Sequence, residues 1–149
     1  MSLLNNVFDS QTINVHLQGK TKEAAFNELT DMITARYPEC DKNILLKSLW
    51  EREGKLSTGI VSGTAVPHAL CSGMDKVVGA IGISKMGIEY DALDNEPVHV
   101  VFLLVLGQYA NEKHLRILSQ ISRLVKSDAL ELIKKAENTQ EVYSILSGF

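Results

Sequence analysis

The strongest constraint on the fold is a pair of apolar, β-branched segments that follow one another without an intervening helix. Residues 76–84 read KVVGAIGIS and residues 97–106 read PVHVVFLLVL, which are the composition and length of buried strands. The connection between them ends in the polar, turn-like sequence YDALDNEP. Because this order departs from a regular βαβ alternation, it predicts a mixed sheet and not an all-parallel one.

The N-terminal part of the chain predicts one short strand and two helices. Residues 12–17, TINVHL, alternate apolar and polar side chains and predict a half-buried strand that contains His16. The sequence from Lys20, KTKEAAFNELTDMITARY, predicts a helix, and Thr21 is its predicted N-cap. Asp41 is the predicted N-cap of a second helix, NILLKSLWERE, which Gly54 ends.

The C-terminal part predicts three further helices. The first begins at Asn111, and the next two have Asp128 and Thr139 as predicted N-caps. Helices on both sides of the central strands predict the α/β class, with a single-domain mixed β-sheet flanked by α-helices. A length of 149 residues fits one domain that covers residues 1–149.

Composition and charge argue against several classes of protein. The net charge is −3, and the 15 Lys and Arg residues are spread along the chain, so we expect no nucleic-acid partner and no polybasic membrane-binding segment. The start, MSLLNNVFDS, lacks the pattern of a signal peptide, and no apolar run has the length of a membrane span. We therefore expect a cytoplasmic protein without direct membrane insertion, in which Cys40 and Cys71 are free thiols.

The stretch LSTGIVSGTAVPHAL presents one histidine in an unusual setting. Pro67 fixes its own φ and favours extended backbone at Val66, so His68 follows a stiff corner. Gly59 and Gly63 permit turns or a close backbone approach, and amides and hydroxyls together suit an anion such as phosphate. The hydroxyl groups of the stretch belong to Ser57, Thr58, Ser62 and Thr64. The alternative is a loop histidine in an ordinary Gly/Ser-rich connection.

His114 lies in the first turn of the helix that begins at Asn111, and it continues the apolar stripe of that helix. At about 100° per residue, it shares one side of the helix with Leu118, Ile121 and Val125. This end of a helix gathers amide donors and the positive end of the dipole. The alternative is a core histidine bonded to a backbone carbonyl.

Arg52 extends the apolar stripe of the second predicted helix, on the side of Leu45 and Leu49. A guanidinium in this position can direct a planar fork of donors at an oxyanion. One alternative is a side chain whose stem covers the core while its head reaches water. Another is an ion pair with Glu51 or Glu53.

Other chemistries find weaker support in the sequence. His68 and Cys71 form an HxxC spacing, but no second pair of soft ligands follows, which argues against a zinc site. The chain has no GxxxxGK[ST], and no GxGxxG follows a strand, so no nucleotide cradle is predicted. Ser57 and Ser62 do not lie in a GxSxG elbow, which argues against a hydrolase with His68 as its base. The two remaining histidines fall in predicted strands, where a satisfied or exposed ring is the simpler interpretation.

Two segments carry a resemblance to a known family. The sequence ERE-GKLSTGIVSGTAVPHA, followed by EKHLRILSQISRLV, resembles the enzyme IIA domains of the fructose/mannitol type. These are the EIIA type 2 domains of the bacterial phosphoenolpyruvate-dependent phosphotransferase system, and they include a nitrogen-regulatory branch. The resemblance covers essentially the whole chain and implies a fold of the phosphotransferase/anion-transport-protein type, a mixed sheet flanked by helices.

The resemblance also implies roles for three residues. His68 matches the phosphorylated histidine, which accepts a phosphoryl group from the phosphocarrier HPr and passes it to a cysteine of a IIB component. His114 matches a second active-site histidine that supports the first, and Arg52 matches an arginine that steadies the phosphoryl oxygens. The resemblance implies no metal, nucleotide or other cofactor in this step, and only an indirect link to a membrane IIC permease.

Two other interpretations stay open, and two positions depart from the family pattern. In a regulatory module, the phosphorylation state of His68 would control the binding of partner proteins; in a fold homologue, phosphotransfer would be absent. Where the family usually reads TGIGNGIAIPH, Val61 replaces a glycine and Thr64 replaces an aliphatic residue. Because a β-branched side chain resists positive φ, we expect altered local geometry at Val61. All three expected working side chains are present, so we expect activity.

Overall fold

The two long strands that the sequence predicts form the centre of a mixed sheet in the computed structural model, which describes residues 2–59, 62–107 and 111–149. The helices in chain order are α1 (Leu3–Val7), α2 (Lys22–Arg36), α3 (Lys42–Glu53), α4 (Asn111–Val125), α5 (Ala129–Lys134) and α6 (Thr139–Leu146). The strands are β1 (Phe8–Asn14), β2 (Thr64–Ala65), β3 (His68–Leu70), β4 (Val78–Ile88) and β5 (Val98–Leu106).

The sheet has five strands among the described residues and combines both strand directions, as predicted. Strand β1 pairs parallel to β4, and β4 pairs antiparallel to β5. The short strands β2 and β3 both pair parallel to β5, in the registers Thr64↔Val100 and His68↔Leu104. Since β2 and β3 lie one after the other along β5, the chain between them is held against the sheet on both sides of Pro67.

Each face of the sheet is covered by its own layer of helices. Along β5, the side chains of Val101, Leu103 and Val105 belong to the apolar core beneath α2 and α3. The intervening residues, such as Phe102 and Leu104, belong to a second core beneath α1, α4, α5 and α6. Strand side chains alternate between faces, so a strand that is buried on both sides reads as a continuous apolar run.

The N-caps predicted for the first two long helices are confirmed. The hydroxyl of Thr21 accepts from Ala24 N at 3.2 Å at the start of α2, and Asp41 Oδ1 accepts from Ile44 N at 3.0 Å at the start of α3. Helix α3 ends at Glu53, directly before Gly54. The free state of the two thiols is also confirmed, and both are buried.

A strand is present where the sequence predicted one, but the predicted bounds, residues 12–17 with His16 inside, are wrong. Strand β1 covers Phe8–Asn14, and His16 is exposed beyond its end. The reason is local, because the Asn14 side chain accepts from the His16 amide at 2.8 Å and forms a turn that interrupts the strand before Leu17 N donates to the carbonyl of Ile83 on β4 at 2.9 Å. The short helix α1, which precedes this strand, was not among the predicted elements.

The prediction of Thr139 as an N-cap is wrong by one residue. The N-cap of α6 is Asn138, whose Oδ1 accepts from Glu141 N at 3.0 Å. Asp128 precedes α5 as predicted, but its side chain makes no capping hydrogen bond. Within the described residues, no helix combines the length and apolar character that a membrane span requires.

Candidate active site

Hydrogen bonds fix the backbone around His68, so the position from which its ring projects is well defined. The amide of Val66 donates to the carbonyl of Thr58 at 3.1 Å, and the carbonyl of Pro67 accepts from Leu104 N at 2.9 Å. His68 is the first residue of β3 and lies opposite Leu104 in the register. The stiff corner expected from the Pro-His pair is therefore hydrogen-bonded to strand β5 through Pro67, directly before His68.

The turn that precedes β2 requires an uncommon backbone conformation at two successive positions. Ser62 has φ 58° and Gly63 has φ 68°, both in the left-handed region. The carbonyl of Gly63 accepts from the amides of His99 at 2.7 Å and Val100 at 3.1 Å, which attaches this turn to the start of β5. Glycine at position 63 meets this requirement without steric cost, as the turn expected there demands.

The rings of His68 and His114 lie against each other. Their centroids are 5.0 Å apart and their planes are inclined by 78°, an edge-to-face arrangement. Nδ1 of His68 and Nε2 of His114 are both buried and have no hydrogen-bond partner, and no other buried side-chain nitrogen or oxygen of the described residues is in this state. Since buried polar atoms are nearly always hydrogen-bonded, this pair requires a functional explanation.

Arg52 lies in the last turn of α3 and brings a guanidinium beside His68. Its Nη1 donates to the carbonyl of Leu56 at 2.8 Å, which holds the side chain along the turn after the helix. Neither neighbouring carboxylate pairs with it among the described residues: Glu53 pairs with Lys22 at 2.9 Å, and no ion pair joins Arg52 to Glu51. The ion pair considered for Arg52 from the sequence is therefore absent from the contacts of the described residues.

The surroundings keep both histidine rings neutral at pH 7. The pKa of His68 is lowered from 6.5 to about 4: burial is the largest cause, and the nearby His114 and Arg52 act in the same direction, whereas the Val66 backbone and Glu53 act in the opposite one. Burial also lowers the pKa of His114. A neutral imidazole has a free lone pair, so His68 is in the state that a nucleophile needs.

The three residues singled out from the sequence meet in one cleft. This cleft, of about 480 Å³, is lined by His68, His114 and Arg52, and also by Lys55 and Leu70. A second cavity, the groove, has a volume of about 640 Å³ and shares Arg52 and His68 with the cleft. All four hydroxyl residues predicted to surround an anion line the groove, namely Ser57, Thr58, Ser62 and Thr64.

Several polar residues near the site were missed by the sequence reasoning, among them Ser48, Lys55 and Lys126. Ser48 lines the cleft and its hydroxyl accepts from Leu70 N at 2.8 Å, which ties α3 to β3. Lys55 also lines the cleft, and Lys126 lines the groove. The sequence contained a signal for Lys55. It lies three residues after Arg52, and residues three apart at the end of a helix lie on a similar side of it. Lys126 carries no comparable signal.

Comparison with known proteins identifies the family. Residues 6–148 match the model of the family described as "Phosphoenolpyruvate-dependent sugar phosphotransferase system, EIIA 2". The chain belongs to this EIIA 2 family. Its fold agrees with the one that the resemblance implied, a mixed sheet flanked by helices. As an EIIA member, the chain belongs to a family of phosphotransfer components.

Relatives of this EIIA chain include sugar-specific and regulatory proteins. It is 32% identical to the PTS system fructose-specific EIIA component of Haloferax volcanii, over 97% of this chain and 94% of the relative. It is 29% identical to a nitrogen regulatory protein of Pseudomonas aeruginosa, over 89% of this chain and 86% of that protein. The family therefore joins two branches, sugar transport and nitrogen regulation.

Two solved structures share the fold of this EIIA chain. The nitrogen regulatory protein IIA-Ntr of Neisseria meningitidis has a TM-score of 0.88 and 24% identity, covering 97% of this chain and 99% of that one. A chain of the Escherichia coli complex of enzyme IIA-Mtl and phosphorylated enzyme IIB-Mtl has a TM-score of 0.79 and 15% identity, covering 96% of this chain and 100% of that one. At these identities the likeness extends to the fold alone.

The two departures from the EIIA sequence pattern differ in what can be said of them. Val61 lies outside the described residues. Thr64 is buried in β2, where it pairs with Val100. Within the described parts of the chain, no cluster of three or more His, Cys, Asp or Glu side chains could hold a metal ion.

Proposed function

We propose that His68 accepts a phosphoryl group from phosphorylated HPr and passes it to a cysteine of a IIB component. The observation that carries this proposal is the pair of buried, unpartnered nitrogens on His68 and His114, in edge-to-face contact beside Arg52. Two polar atoms without partners are costly to bury. A phosphoryl group carried by the other ring nitrogen of His68 would supply an oxygen atom to Nε2 of His114, while the enclosed Nδ1 leaves that other nitrogen as the one free to react.

The reaction consists of two in-line displacements at phosphorus. Nδ1 of His68 is enclosed by protein, so we assign the attack to the other ring nitrogen, Nε2. Its lone pair forms the new N–P bond while the P–N bond to the HPr histidine breaks, and that electron pair returns to the HPr ring. In the second step, the thiolate of IIB forms an S–P bond, and the P–N bond to His68 breaks with its electrons returning to His68.

The other groups at the cleft would stabilise charge on the equatorial oxygens. A neutral His114 can donate through Nε2–H to one oxygen, and the Arg52 guanidinium supplies a planar fork of donors to others. The serine and threonine residues of the groove line the same cavity as Arg52 and His68. Positioning and electrostatic stabilisation are the main requirements of phosphoryl transfer, so this set of groups is sufficient in kind.

Exposed apolar side chains around the cleft support a protein as donor and acceptor. The exposed large hydrophobic residues near the site are Leu56, Leu70, Leu93 and Leu115. Leu70 lines the cleft itself, with 63% of its surface exposed, and Leu115 directly follows His114 with 67% exposed. Exposed apolar patches with a polar surround are typical of protein–protein contact sites. A cytoplasmic location is part of this proposal, because HPr and IIB act there in the family.

The direct test is incubation with phosphoenolpyruvate, enzyme I and HPr, followed by intact mass measurement. We expect the wild-type chain to gain one phosphoryl group and the His68→Ala variant to gain none. Omission of HPr is the control, and it should abolish the gain. A wild-type chain that gains nothing in the complete mixture would contradict the proposal.

A regulatory role is the second candidate, and the similarity to nitrogen regulatory proteins favours it. In that case, the phosphorylation state of His68 would control the binding of partner proteins. Transfer from the phosphorylated chain to IIB components purified from the same genome separates the two candidates. Rapid appearance of phosphocysteine on a IIB supports sugar transport, whereas stable phosphohistidine with every IIB supports regulation.

A further inference from the structure

Glu53 is a buried carboxylate that the proposed phosphoryl transfer does not use. Its side chain is 2% exposed, and it accepts from Lys22 Nζ at 2.9 Å. Both of its oxygens lie 3.2 Å from the amide nitrogen of Thr58, and the Thr58 hydroxyl donates to Oε1. The hydroxyl of Tyr90 lies 3.2 Å from the same oxygen. Three separate parts of the chain thus direct donors at one carboxylate.

The residue that Glu53 holds most closely, Thr58, is directly connected to the backbone before His68. The Thr58 amide donates to Glu53, and the Thr58 carbonyl accepts from Val66 N at 3.1 Å. Val66 is followed by Pro67, whose carbonyl accepts from Leu104 N at 2.9 Å. Because Pro67 has a fixed φ, the position of Val66 determines where the His68 ring enters the cleft.

Glu53 also acts on the turn that carries Arg52. Arg52 and Glu53 are consecutive, and both form hydrogen bonds to the backbone of the turn that follows α3. Arg52 Nη1 donates to the carbonyl of Leu56 at 2.8 Å, while the Glu53 carboxylate accepts from the amide of Thr58. A displacement of Thr58 would therefore move both the Arg52 anchor and the Val66 anchor of the site.

A contribution to stability alone does not require such an arrangement. A buried ion pair is often replaceable by well-packed apolar side chains without loss of stability, because the cost of removing charges from water offsets their attraction. What an apolar side chain cannot supply is an acceptor for the Thr58 amide and hydroxyl. The Lys22 and Tyr90 donors fix the carboxylate in turn, and Lys22 Nζ also lies 4.5 Å above the Tyr90 ring.

We propose that Glu53 is a positioning residue of the phosphoryl-transfer site, acting through Thr58 and Val66 to fix the backbone that presents His68. This inference rests on the proposed function, since it assigns Glu53 a part in the same reaction. Glu53 has no contact with the His68 ring among the hydrogen bonds of the described residues. Its effect is transmitted through the backbone hydrogen bonds of the turn.

The test replaces the carboxylate with an amide of the same shape, Glu53→Gln, in the full chain. The matched control is Glu23→Gln, an exposed position on α2 next to Lys22. We expect hydrogen exchange at the Val66 amide to accelerate by about tenfold or more in Glu53→Gln, because its acceptor is no longer held in place. At saturating phospho-HPr, we expect the transfer rate constant to fall by about 10- to 100-fold with little change in KM. The control should match the wild type in both.

The titration of the His68 ring, followed by NMR, separates positioning from charge. Since Glu53 raises the pKa of His68, loss of the carboxylate should lower that pKa whether or not the backbone moves. A folded Glu53→Gln variant with a shifted titration but wild-type Val66 exchange would therefore overturn the proposal. Unchanged Val66 exchange together with an unchanged titration would overturn it as well.

A second variant, Tyr90→Phe, covers the case in which Glu53→Gln does not fold. It removes one hydroxyl next to Glu53 and Thr58 and keeps the buried ring. Faster Val66 exchange in this variant, smaller than in Glu53→Gln, supports the proposal, and wild-type exchange overturns it. If the wild-type chain accepts no phosphoryl group from HPr, the proposed function fails, while Val66 exchange still decides whether Glu53 positions His68.

Discussion

His68 and His99 lie on neighbouring strands of one sheet, both half-buried, yet their rings are in opposite states. In His99, on β5, Nδ1–H donates to the carbonyl of Ser84 at 2.9 Å. In His68, on β3, the buried Nδ1 has no partner, and the ring instead meets the edge of His114. The satisfied strand histidine that the sequence favoured is thus confirmed for His99.

The difference lies in the backbone around each ring. At His99, the β4 chain approaches closely, with φ 94° at Gly87, so that a strand carbonyl can reach the imidazole. At His68, the ring instead lies in a cleft that side chains from α3 and α4 line, among them Arg52 and His114. The hydrogen bond of His99 stabilises the sheet, whereas a histidine without such a bond beside an arginine is available for chemistry.

The largest expected effect comes from a matched pair of substitutions, His68→Ala and His99→Ala. We expect His68→Ala to take up no phosphoryl group, with a thermal stability close to that of the wild type, because no hydrogen bond is lost. We expect His99→Ala to take up phosphate normally and to lose about 1 kcal/mol of stability with its hydrogen bond to Ser84. Intact mass and chemical denaturation measure the two effects, and the reverse result would contradict the comparison.

The next largest effect is expected from His114→Ala and Arg52→Ala. Each removes one group that would stabilise charge on the phosphoryl oxygens, so transfer from phospho-HPr should slow by about 10²- to 10³-fold. Rapid-quench measurement of phosphate uptake gives the rate, and circular dichroism shows whether the fold persists. Variants that unfold would indicate that these side chains contribute to packing. That result would favour the alternatives given above, a core histidine for His114 and a core-covering stem for Arg52.

The stability of the chain should fall as the pH falls from 7 to 5, and His68 should account for much of the change. The ordinary pKa of 6.5 applies to the unfolded chain, whereas burial lowers the folded value to about 4. Between these values the unfolded chain binds more protons, so the free energy of unfolding decreases, by about 1 kcal/mol for this group once the screening of a half-buried ring by water is allowed for. The lowered pKa of His114 acts in the same direction.

Denaturant unfolding at several pH values measures this loss. His68→Gln removes the group and should flatten the profile, whereas His99→Gln should keep it. A wild-type profile that is already flat between pH 7 and pH 5 would mean that the His68 ring is more accessible to water than the structure indicates.

The parts of the fold that the sequence predicted well are those with strong local signals. The two central strands are buried on both faces and therefore read as apolar runs, and the caps at Thr21 and Asp41 each need only one side chain. The failures are also local in origin. The Asn14 side chain accepts from the His16 amide, and β1 ends before His16. At α6, the side chain of Asn138 accepts from Glu141 N and takes the N-cap position that was predicted for Thr139.

The candidate site was predictable only in part, for a physical reason. His68, His114 and Arg52 each interrupt a pattern that is visible along one segment, so each could be singled out alone. Their approach to one another depends on sheet register and helix packing, and these cannot be inferred from the local sequence of any one segment. The partner of Glu53 shows this most clearly, because the sequence offered the adjacent Arg52, whereas the fold supplies Lys22 from another helix.

The smallest expected effect tests whether the apolar surface near His68 differs from that near His99. Leu70 is exposed in the cleft, and Met86, at 82% exposure on β4, immediately precedes Gly87 beside His99. We expect Leu70→Ser to raise the KM for phospho-HPr about fivefold, the equivalent of about 1 kcal/mol of lost contact, with the rate at saturation unchanged. Met86→Ser should leave both constants at wild-type values, because a residue at the other end of the sheet takes no part in docking. Equal effects of the two substitutions would mean that exposure alone, and not proximity to His68, determines how HPr is bound.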